Sequence, residues 1–388
     1  MLWNANYIKV MIANFMLYFA FYLLTPLLPL YLSDEFAATK DTIGVVLSGY
    51  TWAALFIRPF SGFIVDSFNR RKVLLTFFFL FFIFFAGYIA ASTLLMFAIV
   101  RTLHGAPFGA LTVANQTVAI DVLPSERRNE GMGFYGLGNN LAMAVAPSMA
   151  IYIYEATGDF NILFWIALAV AGTGMVVDMT VKVPVKAIVP DKRKLSLDRF
   201  FLTRAWLLAL NIAFFSFCFG VLSNYLAIYS KEEMGITGGT GTYFLILSAG
   251  LVVSRLQGAA GLRKGRLTQN AAEGVCISLL GYLLFVMVPN AWGYYLSAVL
   301  IGLGNGHMYP AFLNMFISVA RNNQRGTANS SILTAWDLGF GFGILVGGVV
   351  AEVFGYQAAF WTVVAVNAVG VALFLFATRA FYKARVIC

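Results

Sequence analysis

Charge is scarce in this chain. Asp, Glu, Lys and Arg make up 11% of its 388 residues, where a soluble domain carries about a quarter. That shortage excludes an ordinary water-solvated fold. Proline is rare as well, 10 residues against 36 glycines, which excludes a loop-rich architecture and fits closely packed helices. There are three cysteines, Cys218, Cys276 and Cys388. No pair has metal-ligand spacing, and no disulfide framework is expected. No Gly-x-x-x-x-Gly-Lys-Ser/Thr loop occurs, so direct drive by ATP is unsupported. Neither His-Glu-x-x-His nor Gly-x-Ser-x-Gly is present, which disfavours an intramembrane enzyme. The first apolar stretch lacks a small-residue cleavage site and is too long for a leader, so it is expected to be a membrane helix.

What is abundant is hydrocarbon. Sixty per cent of the residues are hydrophobic and 16% are aromatic, with 37 Phe. Mean hydropathy is +0.81. Apolar stretches long enough to cross a bilayer recur twelve times, at about 8–32, 42–66, 73–92, 94–121, 131–154, 160–181, 205–230, 240–262, 270–288, 292–320, 326–352 and 357–380. Two of the junctions, Ser92-Thr93 and Pro289-Asn290-Ala291, rest on length alone.

The net charge of +9 would suit nucleic acid on a soluble protein. Here the bases lie in short loops, and no nucleic-acid partner is expected. Twenty of the 26 Lys and Arg fall after even-numbered spans or in the tail. They include Arg70, Arg71 and Lys72, Arg127 and Arg128, and seven between Lys182 and Arg204. The opposite loops hold only Lys40 and Lys231. Positive loops stay cytoplasmic, so both termini are expected inside.

The chain also repeats, with an offset of 196 to 197 residues. Asn14 matches Asn211, Ser33 and Glu35 match Ser230 and Glu232, and Gly62 and Arg70 match Gly258 and Arg266. Gly105 and Gly109 match Gly302 and Gly306, and Arg128 matches Arg325. A constant offset over five regions marks a parallel duplication of a six-span unit. The expected division is an N-terminal six-helix bundle at 1–181, a cytoplasmic linker at 182–204 and a C-terminal six-helix bundle at 205–388.

Between spans two and three the chain reads GFIVDSFNRRK over Gly62–Lys72. This order of Gly, acid and paired bases resembles the loop signature of the major facilitator superfamily of secondary transporters, with Asn69 in place of the usual Gly. Arg101-Thr-Leu-His104-Gly105 resembles that family's Arg-x-x-Gln-Gly, with His replacing Gln. Ala142, Ala146, Pro147 and Ala150 resemble, in degenerate form, the Gly-x-x-x-Gly-Pro signature of exporters. The second loop copy, Gly258 to Arg266, has Leu262 where the acid would stand. The resemblance spans essentially the whole chain and is closest to the drug/proton antiporter-like branch of bacterial members. It implies an all-α membrane protein with twelve transmembrane helices in two pseudo-symmetric bundles. It also implies a cytoplasmic gate made by Gly62, Asp66, Arg70 and Arg71. The structural alternative for that loop is a capped helix end plus topology.

Buried charge costs about 2.5–3.5 kcal/mol on insertion scales, so charges inside spans are candidate working groups. Arg101 is the clearest. Arg101, His104, Phe108, Thr112 and Asn115 share one helical stripe and would form a polar cavity wall, or equally an interhelical hydrogen-bond network. The resemblance links Arg101 to proton coupling or to an anionic substrate, and His104 could titrate near neutral pH. Asp337 lies twelve residues past Arg325, about 18 Å along a helix at 1.5 Å per residue. That depth makes it the first candidate for the proton carrier, the alternative being a structural partner for a buried base. Its repeat mate is Asn140. Asp178 and Glu273 lie in spans that are peripheral in the resembling fold and rank lower. Asn14, Tyr18, Asn211, Asn224 and His307 complete the candidate substrate cavity. Each alone is as well explained by packing.

The expected function is secondary active transport of a small amphiphilic or polar molecule, with proton-coupled export ahead of import or facilitated uptake of a polar nutrient. A channel or an intramembrane enzyme fits less well. Span one, Ile8 to Leu32, contains no acid, which leaves a neutral, anionic or zwitterionic substrate at least as suitable as a cationic one. The expected partners are that substrate and the lipid bilayer. No cofactor is expected beyond a proton gradient, and the chain is expected to be a monomer in the inner membrane.

Overall fold

The computed structural model describes residues 2–124, 128–183, 201–236, 239–263, 266–320 and 325–386. Among them the chain is helical, with no β-strand. The N-terminal half contributes α1 (Ala5–Leu24), α2 (Leu28–Phe36), α3 (Lys40–Ser67), α4 (Arg70–Ala90), α5 (Leu94–Val122), α6 (Arg128–Thr157) and α7 (Phe160–Met179). The C-terminal half contributes α8 (Trp206–Glu232), α9 (Thr240–Arg263), α10 (Leu267–Met287), α11 (Ala291–Val319), α12 (Arg325–Phe354), α13 (Tyr356–Leu373) and the short α14 (Arg379–Lys383). Eight of the described helices are long and apolar enough to cross a membrane.

Local chemistry sets the helix starts. Asn4, Asn69, Thr93, Asp159 and Asn290 each precede a helix and accept a first-turn backbone N–H with the side chain, satisfying donors the helix leaves open. Thr93 and Asn290 mark the two junctions read from length alone, and both are real helix boundaries. Span one departs from the sequence expectation. Its segment 8–32 is not one helix but α1 and α2, broken at Thr25–Leu27. Pro26 and Pro29 have no N–H to give, and Pro29 sits in the first turn of α2, where proline is tolerated.

Contacts divide the chain into two compact units, Met1–Ala38 with Gly49–Arg193, and Thr39–Ser48 with Lys194–Cys388. Most of the expected linker 182–204 lies outside the described residues. In the first unit α1 packs on α6 and α7, and α4 on α5 and α7. In the second, α8 packs on α12 and α13, and α10 on α11 and α13. The two lists are the same list shifted by one repeat. The second unit also holds the first turn of α3: the Lys40 N–H donates to Glu352 Oε2 at 2.8 Å, and its ammonium lies 4.0 Å from Glu232.

The duplicated glycines explain how these helices meet. A Cβ on Gly105 would overlap the carbonyl oxygen of Tyr50, and one on Gly109 would meet Ala54. A Cβ on Gly302 would overlap the carbonyl oxygen of Leu247, and one on Gly306 would meet Ser254 and Leu251. Each pair therefore seats one helix directly on the backbone of another, at positions related by the same 197-residue shift. The stripe Gly339, Gly343 and Gly347 in α12 packs on α8, against Ala213, Phe217 and Tyr225. It is a packing face within one unit.

Candidate functional site

The α5 stripe folds as a single buried face. Arg101 is 4% exposed, and His104, Phe108, Thr112 and Asn115 are buried beside it. Among the described residues the stripe is buried rather than open. It is closed over by rings from α1, α3 and α4, because those helices bring Phe21, Tyr50, Phe81, Phe85 and Tyr88 onto the same face.

Arg101 donates from Nη1 to the Tyr88 hydroxyl at 3.2 Å. Its guanidinium lies 4.2 Å from the centroid of the Tyr50 ring, a cation–π geometry that replaces part of the lost hydration. Among the described residues Nε has no hydrogen-bond partner, and no carboxylate pairs with the group. A buried cation without a counter-charge is an electrostatic well for an anion or for the negative end of a substrate. His104 hydrogen-bonds through Nδ1 to the same Tyr88 hydroxyl at 2.8 Å. Rings from Phe81, Phe84 and Phe85 surround it, and its Nε2 has no partner among the described residues. Tyr18 reaches the group through an edge contact with Phe108, with centroids 5.9 Å apart. Tyr18, Phe108, Arg101 and His104 are thus brought together, with Tyr50 and Tyr88 as members that sequence reasoning missed.

Asn14 takes a different partner. Its amide donates to Asn139 Oδ1 on α6, while its own Oδ1 is left without a partner among the described residues. Asn115 is fully buried with neither amide atom hydrogen-bonded among the described residues. The side-chain surroundings of Asn140 lie outside the described residues, as do those of Gly62 and Asp66.

Two bases of the loop make contacts within their own unit. Arg70 forms an ion pair with Asp121 in the last turn of α5. The Asp121 side chain is only 2% exposed in that pair. Arg71 donates to the carbonyl of Met179, the last residue of α7, at 2.7 Å. Cations therefore tie off two helix C-termini, where the helix dipole favours them. Asp121 was legible only as an acid at a span end on the basic side. Replacing Arg70 by Leu is expected to cost about 2 kcal/mol, the scale of a charge-assisted hydrogen bond. Thermal unfolding in detergent checks this, and Arg70→Lys should recover part of the loss.

In the second unit the candidates do not converge. Asn211 donates to the Gly370 carbonyl at 2.8 Å. Asn224 donates to the Gly220 carbonyl of its own helix at 2.9 Å. His307 pairs through Nδ1 with Asn270 Oδ1 at 3.0 Å. Each is a separate packing contact toward α13, α8 or α10. Asp337 is half-buried on α12, next to Trp336, whose ring packs on Phe219 and Tyr309. Arg101 and Asp337 belong to different units.

A family model of the Major Facilitator Superfamily matches residues 10–339 and 271–386. The chain belongs to this superfamily. Its members are transporters, so the chain is a multi-pass membrane transporter of a small molecule. It is 22% identical over 348 residues to the MFS-type transporter YhhS of Escherichia coli (strain K12), covering 87% of this chain and 84% of that one. It is 23% identical over 373 residues to the Staphylopine export protein of Staphylococcus aureus (strain Mu50 / ATCC 700699), covering 90% of both. Among solved structures, the peptide transporter POT superposes with a TM-score of 0.80 at 14% identity, over 98% of this chain and 95% of that one. The human organic anion transporter MFSD10 superposes with a TM-score of 0.72 at 18% identity, over 95% and 98%. These superfamily structures share the fold of this chain.

Proposed function

We propose that the chain is a proton-coupled exporter of a small amphiphilic or polar molecule, working by alternating access. The buried Arg101, held by Tyr88 and Tyr50 without an ion-pair partner among the described residues, carries this reading. It supplies fixed positive charge in a helix interior, where such charge is costly and tends to be functional. It favours a substrate with an anionic or zwitterionic part. The likeness to a staphylopine exporter over 90% of both chains supports outward transport. In this reading Asp337 is the main coupling acid, Arg101 competes for its charge, and His104 is the reserve proton site. Asn14, Tyr18, Phe108, Asn115, Asn140, Asn211, Asn224 and His307 remain the candidate substrate surface. Gly62, Asp66, Arg70 and Arg71 form the cytoplasmic gate. The protein works as a monomer in the bacterial inner membrane, with both termini cytoplasmic and a proton gradient as its energy source.

The test is transport in sealed vesicles holding the full chain, with an imposed pH gradient and a chemically diverse substrate panel. Saturable movement opposite to the proton flow is expected for at least one amphiphilic or zwitterionic compound. Movement along the proton flow would replace export by import. Flux that never saturates would favour a channel.

A further inference from the structure

Asp178 is the least expected side chain in the N-terminal unit. It lies one residue before the end of α7, is 1% exposed, and neither carboxylate oxygen has a hydrogen-bond partner among the described residues. An ionised carboxylate buried without donors is among the costliest arrangements in a protein. Its position makes the charged form worse, because a helix C-terminus carries partial negative charge.

The surroundings have been closed around it. On α1, the Tyr7 hydroxyl is committed to the Gly131 carbonyl at 2.5 Å. On α6, Tyr135 is the titratable group close enough to interact with it electrostatically. The nearby cations sit one or two residues away, at the edge. Arg71 of α4 holds the Met179 carbonyl at 2.7 Å, and Lys9 of α1 holds the Thr180 carbonyl at 3.3 Å. Just beyond, the Lys182 N–H donates to Asn6 Oδ1 at 3.0 Å. Two bases and an amide thus pin the chain that follows Asp178, and the two bases contact carbonyls rather than the carboxylate.

The fold does not need an acid here. Gly174 and Gly370 are repeat mates, 196 residues apart, and each packs on the first helix of its unit, against Ala13 and Met16 or against Phe214 and Phe215. The same shift carries Asp178 to Phe374. Phe374 is 0% exposed in the hydrocarbon core of the second unit, 5.4 Å from the ring of Phe312. One copy fills the seat with a ring and the other with a carboxyl group.

We propose that Asp178 is a proton-binding site: neutral while the last turn of α7 is closed on α1 and α4, and ionised when that turn opens and the carboxylate meets Lys9 and Arg71. On opening, the O–H bond breaks, the electron pair stays on the carboxylate, and the proton leaves to water at the helix end. On closing, the reverse occurs. Proton uptake is thereby linked to the grip of Lys9 and Arg71 on α7. The link to transport rests on the proton-coupled reading above; the protonation itself does not.

Two measurements on the full purified chain separate the two. In detergent at pH 7, infrared spectra of the native chain and of Asp178→Asn are subtracted. A protonated-carboxyl band lost in the amide variant is expected. If no such band is lost, the site is overturned. Should Asp178→Asn fail to fold, Asp178→Glu keeps the acid and is expected to shift the same band. In vesicles, Asp178→Asn is expected to lower the response to a pH gradient at least tenfold with substrate binding preserved. An unchanged gradient response in the folded variant overturns the role in coupling. A native chain blind to the gradient refutes the proton-coupled reading, while the infrared band still decides Asp178.

Discussion

Gly105→Val should yield almost no folded protein, and Gly302→Val should do the same. Both glycines sit where a Cβ would overlap a backbone carbonyl, of Tyr50 and Leu247 respectively. A flexible side chain could swing away, but a helix backbone cannot. Overpacking a core commonly costs about 1–3 kcal/mol, and here whole helices must separate. That forfeits contacts along α3 and α5, or α9 and α11, against a net stability of only about 5–15 kcal/mol. Size-exclusion profiles of fluorescently tagged variants measure the effect. Gly136→Ala is the matched control, since a Cβ there meets nothing within 4 Å. A monodisperse Gly105→Val protein with the unfolding midpoint of the native chain would contradict the close seat.

Asp337→Asn should abolish transport driven by a pH gradient while leaving substrate binding within about threefold of the native value. The amide keeps the shape of the side chain and its place beside Trp336, but carries no exchangeable charge. Arg101→Leu should produce the complementary loss. With the guanidinium gone, the Tyr88 hydroxyl loses a charge-assisted partner and the Tyr50 face loses its cation. Binding of an anionic or zwitterionic substrate should fall at least tenfold, equal to about 1.4 kcal/mol. Binding isotherms alongside vesicle transport separate the two effects. An Asp337→Asn protein that still answers fully to the gradient moves the coupling site elsewhere, and full binding by Arg101→Leu removes the anion argument.

Periodicity carried most of what the sequence revealed. The apolar stretches, the 197-residue shift and the glycine pairs are all one-dimensional signals, and the helix–backbone seats at Gly105 and Gly302 are their physical cause. The shared face of Arg101, His104 and Phe108 was legible for the same reason. Partner choice was not. That Arg70 pairs with Asp121, or Asn14 with Asn139, depends on which helices are neighbours and how they are rotated. The break at Pro26 was written in the sequence but hidden by the length of the apolar run. The burial of Asp178 was also invisible, because a peripheral span can still bury a face against α1 and α4. The enclosure of His104 by five aromatic rings turned an expected cavity wall into packed interior. That difference comes from volume, which periodicity does not report.

The thiol of Cys218 donates to the Phe214 carbonyl at 3.2 Å from a fully buried position. It is therefore shielded from water-borne alkylating reagents in the folded state. Spectroscopists gain from this. A distance or fluorescence experiment that attaches probes through engineered cysteines needs a quiet background, and this chain supplies most of one. Replacing Cys276 and Cys388 leaves a single native thiol that reagents reach only on unfolding. The same Cys218 then doubles as an internal clock: its rate of modification under mild heating reports the opening of the α8 core, with no added label.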